Sequence, residues 1–98
     1  MSFAEGDYVV VRSRESGCLC GEYQYHNGRE VWLKNARIIH QWSNSVHRLT
    51  LIDVSSIEGE NDRLSRPSDD LVCVLDACTI IKPSATAERY LRTAKHAE

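Results

Sequence analysis

No run of apolar residues in this 98-residue chain approaches the roughly 20 that a membrane-crossing helix needs. The start, MSFAEGD, also lacks the basic and apolar pattern of a signal peptide. The expectation is a cytosolic protein with no membrane partner. An excess of charge of one sign is missing too, since 12 basic against 14 acidic residues leave a net charge of -2. The chain as a whole therefore has no electrostatic pull toward long nucleic acid. A local basic site for a small anion stays open, because Arg29, Lys34 and Arg37 fall close together.

Catalytic signatures are equally scarce. There is no G-x-S-x-G elbow, no phosphate-cradling glycine loop before a helix, and no carboxylate pair outside the polar loops. These absences point to a protein that is not an enzyme. The cysteines, Cys18, Cys20, Cys73 and Cys78, lack the C-x2-C knuckle spacing of structural zinc. In a cytosolic chain they are expected to stay reduced and to serve as small apolar core residues. The histidines at 26, 40, 47 and 96 show no metal spacing, so neither a metal nor a cofactor is expected.

What is present reads as one domain over residues 1–98, of α+β class. A domain this small buries a thin core, and self-association into a homo-oligomer would complete it. "DYVVVRS" at 7–13 suits a buried strand, and "CLCGEYQY" at 18–25 alternates in a second one. Asn27-Gly28 is a strong hairpin signal. Taken as the two-residue loop, it sets Tyr25 opposite Glu30 and Tyr23 opposite Trp32, with Lys34 further along the same face. Asn35 bends or interrupts the returning strand before "ARIIHQW". A short helix is expected around 46–55, an exposed polar loop over 58–70 and one buried strand over 71–81. Pro83 ends the sheet, and Ser84 caps a C-terminal helix with Tyr90, Leu91 and Ala94 on its apolar face. The total is a mainly antiparallel β-sheet of four to five strands with a C-terminal helix.

One segment, "YHNGREVWLKNARIIHQW" at 25–42, holds more than a hairpin needs. Tyr23, Tyr25, Trp32 and Trp42 offer flat surfaces on which a base can stack. Arg29, Lys34 and Arg37 can neutralise phosphate, Arg37 by a bidentate fork. Asn35 carries both donor and acceptor for a base edge, and His40 lies beside this set. The same residues would also cover an exposed sheet face or a subunit contact, and from composition alone that reading comes first, because exposed aromatic patches more often mean protein contact.

The segment "NGREVWLKNARIIHQW" resembles the pattern N-G-[KR]-E-V-x-L-K-N-A-R-R-I-W-Y-W of the phage Thoeris anti-defence sponge family and its small phage relatives. "VVRSRESGCLCGEY" and "CVLDACTIIKPS" are similar to that family's flanking strands, so the resemblance covers most of residues 9–84. It implies a homo-oligomer that sequesters, without turnover, a cyclic nucleotide immune signal of cyclic ADP-ribose or cyclic oligonucleotide type. Asn35, Arg37 and Trp42 are the motif positions retained. Ile38 stands where the pattern has a second arginine, and His40 and Gln41 replace its Trp-Tyr pair. An enzyme that degrades the signal, or a module that docks a host or phage protein, are the competing readings.

Overall fold

A computed structural model describes residues 3–14, 17–41, 51–56 and 62–95. The chain is α+β, as its patterning predicts. Strands β1 (Tyr8–Ser13), β2 (Gly17–Asn27) and β3 (Glu30–Gln41) form an antiparallel meander, followed by the short helix α1 (Leu51–Ser56). Two brief strands, β4 (Arg63–Leu64) and β5 (Val72–Val74), pair with β3; β6 (Ala77–Ile81) pairs with β1, and α2 (Ala85–Thr93) closes the order.

Continuous apolar character in β1 has a direct cause: its sheet is covered on both faces. Tyr8 and Val10 point, with Cys20 and Ile39, toward Leu51 and Val54 of α1, Leu64, and Leu91 of α2. Val9 and Val11 point the other way, with Leu19, Tyr23, Val31 and Leu33, toward Val74. The second face is covered by the chain curling back on itself. The stretch expected as one strand over 71–81 is instead two, because Asp76 takes a left-handed conformation (φ 54°) and turns the chain. β5 then bonds β3 while β6 bonds β1, two strands that lie on opposite sides of β2. This segment lies at the margin of the sheet, and only Val74 in it is fully buried.

The hairpin register also differs from expectation. Its two-residue loop is Gly28-Arg29, with Asn27 paired to Glu30 and Tyr25 to Trp32. Gly28 alone has positive φ (59°), which matches a type II′ turn; that turn asks for glycine only at its first central position, so Asn27 is free to pair. Two bulges then offset the middle of the ladder. Between Cys20 and Glu22 the β3 strand carries an extra residue, and between Tyr23 and Tyr25 the β2 strand does. The first bulge contains Asn35 in the left-handed region (φ 52°), a conformation asparagine tolerates, so β3 bends there without ending. The second, at Gln24, sends Tyr23 into the core and Tyr25 to the outside, where strict alternation would put both on one face.

β3 has its outer edge covered in relay. β5 takes Val31 to Leu33, Ser68 exchanges bonds with Ala36 (both 2.9 Å), Ser65 donates to Ile38 O (3.0 Å), and β4 takes Ile39 and Gln41. The polar stretch expected as a loop thus contributes a pairing strand and the fully buried Leu64. Helix α2 starts where expected, with Ser84 Oγ accepting from Ala87 N (3.2 Å) and donating to Ser56 O (3.1 Å), which ties the two helices together. Residues 46–50 of the expected short helix, His47 and His96 lie outside the described residues. Of the cysteines, which are unpaired, Cys20 is buried as expected and Cys78 is exposed, since it sits at the irregularity where β6 faces Arg12 and Ser13.

Candidate functional site

Arg37 is the best defined of the expected ligand-binding residues. It lies on the helix-covered face of β3 opposite Cys20, and it is 2% exposed. Nε donates to Ser65 O and Nη1 to Leu91 O, both at 2.8 Å. The second bond satisfies one of the end carbonyls that α2 cannot satisfy internally. No carboxylate lies against the guanidinium among the described residues, and Nη2 donates to none of them.

Above Arg37 opens a cleft of about 210 Å³ lined by Tyr8, Glu22, Asn35, Arg37, Pro67 and Arg92. Buried Tyr8 and Arg37 make its floor, and exposed Asn35, Pro67 and Arg92 its rim. Among the described residues, two guanidinium groups against one carboxylate give the lining a positive balance. Arg92 is held three ways. Its guanidinium carbon sits 4.4 Å from the Tyr8 ring centroid, Nε bonds Glu88 (2.9 Å), and Nη1 approaches Glu22 Oε2 (3.5 Å). Asn35 Nδ2 donates to the same Glu22 oxygen (2.9 Å), so the bulge aims this amide at the carboxylate. Burial of the Tyr8 ring drives its hydroxyl well above the usual phenol range, and it donates to Cys20 Sγ (3.2 Å). Burial likewise pushes the Cys20 thiol up to about 11. Neither group is a nucleophile near neutral pH.

The other expected residues are dispersed. Tyr23 is 6% exposed, with its hydroxyl on His26 Nδ1 (2.6 Å) and its ring beside Phe3, so it presents no open face. Trp32 stacks on Tyr25 (centroids 5.5 Å apart, 18° between planes), replacing the expected Tyr23 pairing. Arg29 sits at the hairpin tip and pairs with Asp76 (3.0 Å). Lys34 is exposed on β3. His40 borders a separate hollow of about 280 Å³ with Ile38, Arg63, Leu64 and Ser65. Trp42 lies outside the described residues. Asn35 and Arg37 are therefore the pair that the fold brings into one cleft. Tyr8, Glu22 and Arg92 complete it, and sequence spacing could not have assembled them, because they come from three different elements.

Residues 6–91 match the model of a family described as a domain of unknown function, DUF6948. The chain belongs to the DUF6948 family. Searches of curated proteins and of solved structures found no match. The match covers the DUF6948 fold described above from β1 into α2, and it takes in the described cleft residues Tyr8, Glu22, Asn35, Arg37 and Pro67, with Arg92 one position past its end. In this DUF6948 domain no helix is long and apolar enough to cross a membrane, among the described residues. Those residues also bring together no group of three or more His, Cys, Asp or Glu side chains that could hold a metal ion.

Proposed function

We propose that this domain is a non-catalytic, phage-encoded sponge that binds a cyclic nucleotide immune signal in the host cytoplasm and keeps it from its receptor. One observation carries the reading: a fully buried arginine forms the floor of an open cleft, and among the described residues it pairs with no carboxylate and one of its nitrogens donates to none. A buried charge held only by carbonyls is costly, and a phosphate entering the cleft would neutralise it. Arg92 at the rim supplies a second cation and Asn35 an amide. Among the described residues the lining contains no nucleophile beside a base, which suits holding a ligand better than turning it over.

Size argues for an oligomer. The cleft holds about 210 Å³, below the roughly 300–1,000 Å³ usual for ligand pockets, so one chain encloses part of a cyclic dinucleotide. A second copy of the chain, bringing its own aromatic and basic side chains, would close over the remainder. The Tyr25–Trp32 stack, with Tyr25 50% exposed, is a surface suited to such a contact.

Calorimetric titration with cyclic ADP-ribose isomers and cyclic di- and trinucleotides tests the proposal. At least one should bind, and heating the complex should release it chemically intact. Arg92→Ala and Arg37→Met should each weaken binding by at least about tenfold, a loss of about 1.4 kcal/mol. Absence of binding across the panel, or recovery of breakdown products, would overturn the reading.

A further inference from the structure

The β2–β3 hairpin carries a second surface, on the face of the sheet turned away from Val31, Leu33 and Val74. Tyr25 pairs with Trp32 and Trp32 with Cys73, and residues paired across a sheet share a face, so these three form one row across β2, β3 and β5. Leu71 and Leu75 bracket β5 in step with Cys73, and like Tyr25 they are exposed. Along β3 the same face shows Glu30 on one side of Trp32 and Lys34 on the other, roughly 14 Å apart at the rise of a strand. Both are exposed, and neither forms an ion pair among the described residues.

An apolar row with one charge of each sign set evenly about its centre is complementary to itself. We propose that this face is an isologous interface between two copies of the chain, related by a two-fold axis that crosses β3 at Trp32. Two sheet faces can meet about an axis that runs along the strands or across them. An axis along β3 would lay Lys34 on the partner's Lys34 and Glu30 on the partner's Glu30, like charges directly opposed. An axis across β3 reverses the facing strand, so Lys34 meets the partner's Glu30 and Glu30 the partner's Lys34. Leu71 then meets the partner's Leu75, because β5 runs antiparallel to β3 with Val72 beside Leu33 and Val74 beside Val31. A foreign partner would have to reproduce this alternation, whereas a second copy has it by symmetry. The interface rests on the sponge reading above for its role and deepens it. Glu22 of the cleft pairs with Lys34, so the hairpin tip of the second copy, with its Arg29, comes to the rim that one chain leaves open.

Sedimentation velocity of the full chain over a range of concentrations tests the interface, with thermal unfolding as the check that each variant is folded. The wild type should sediment as a dimer or an assembly of dimers. Lys34→Glu and Glu30→Lys each set like charges face to face, twice per dimer, and should each weaken the dimer at least about tenfold. The double reversal, Glu30→Lys with Lys34→Glu, restores opposite charges and should bring the dissociation constant back to within about threefold of the wild type. A wild-type chain that is monomeric throughout, a dimer indifferent to either single reversal, or a loss that the double reversal does not repair overturns the interface. Calorimetry on the same samples separates the two readings. A monomer that binds a signal of the panel above overturns the interface alone, and a reversal-sensitive dimer that binds none of them overturns the sponge reading alone.

Discussion

Gly21 sits where β2 passes the bulge of β3, and the fold leaves no room there for a side chain. A Cβ placed on it would lie 3.0 Å from Ala36 Cα, 3.2 Å from Lys34 O and 3.3 Å from Leu33 Cβ. Ordinary carbon contacts are about 3.5–4.0 Å, so Gly21→Ala must move the neighbouring backbone by a few tenths of an ångström. That backbone has little freedom, because Ala36 is bonded to Ser68 through both its N–H and its carbonyl. Overpacking of this kind costs about 1–3 kcal/mol. Against it stands the lower unfolded-state entropy of alanine, about 0.4–1 kcal/mol, which counts in full because the Gly21 backbone lies outside the left-handed region. The net expectation is a loss of about 1–2 kcal/mol. For a domain of this length that corresponds to a melting temperature lower by roughly 4–16 °C. Urea unfolding of both proteins would show it as a lower midpoint with an unchanged slope. A midpoint equal to or above that of the wild type would refute the close approach of the two strands at the bulge.

Alkaline stability follows from the Tyr8–Cys20 pair. Cys20 stays protonated in the fold up to about 11, while its unfolded counterpart ionises near 9.0, and Tyr8 is shifted in the same direction. Above the unfolded values the unfolded chain binds fewer protons, so stability is level below about pH 9 and falls by about 2–3 kcal/mol toward pH 11. Urea midpoints measured from pH 8 to 11 should trace that fall, and Cys20→Ala should flatten part of it; a flat wild-type profile would remove the pair from the account. At the other end of the chain, Ser84→Ala removes the α2 cap and the bond to Ser56 O, and should cost about 1 kcal/mol or somewhat more, read as a shift in thermal unfolding.

Local patterning made much of this fold legible. The β-branched run in β1 and the Ser84 cap each act over a few residues, so each could be read from the chain alone; the hairpin was legible at Asn27-Gly28, but its loop lies one residue later, at Gly28-Arg29. The misreadings share a physical origin. Gln24 and Asn35 interrupt strand alternation by one residue each, and a period-two reading carried through them reverses every side chain beyond, as happened with Tyr25. Asp76 hides a turn inside an apolar run because only the pairing partners, β1 and β3, decide where that run divides. For the cleft, Asn35 and Arg37 stood out as surplus to a hairpin. Their partners Tyr8, Glu22 and Arg92 did not, since a tyrosine in an apolar strand and an i,i+4 Glu88–Arg92 pair on a helix need no function to explain them. The motif positions also have structural work: Asn35 shapes the bulge and Arg37 fastens α2 and the 65–68 segment to β3.

The bulges have a consequence for how such a chain can change its length. Deleting a residue from a regular strand normally turns over the remainder of that strand. At Gln24 the opposite holds, because Tyr23 and Tyr25 already occupy opposite faces and would simply become neighbours in an unbroken alternation. At Asn35 the same logic joins Lys34 to Ala36. Single-residue insertions and deletions among DUF6948 chains should therefore collect at these two positions inside the strands, while the Gly28-Arg29 turn, usually the freer place, keeps its length because it sets the facing of the whole hairpin tip.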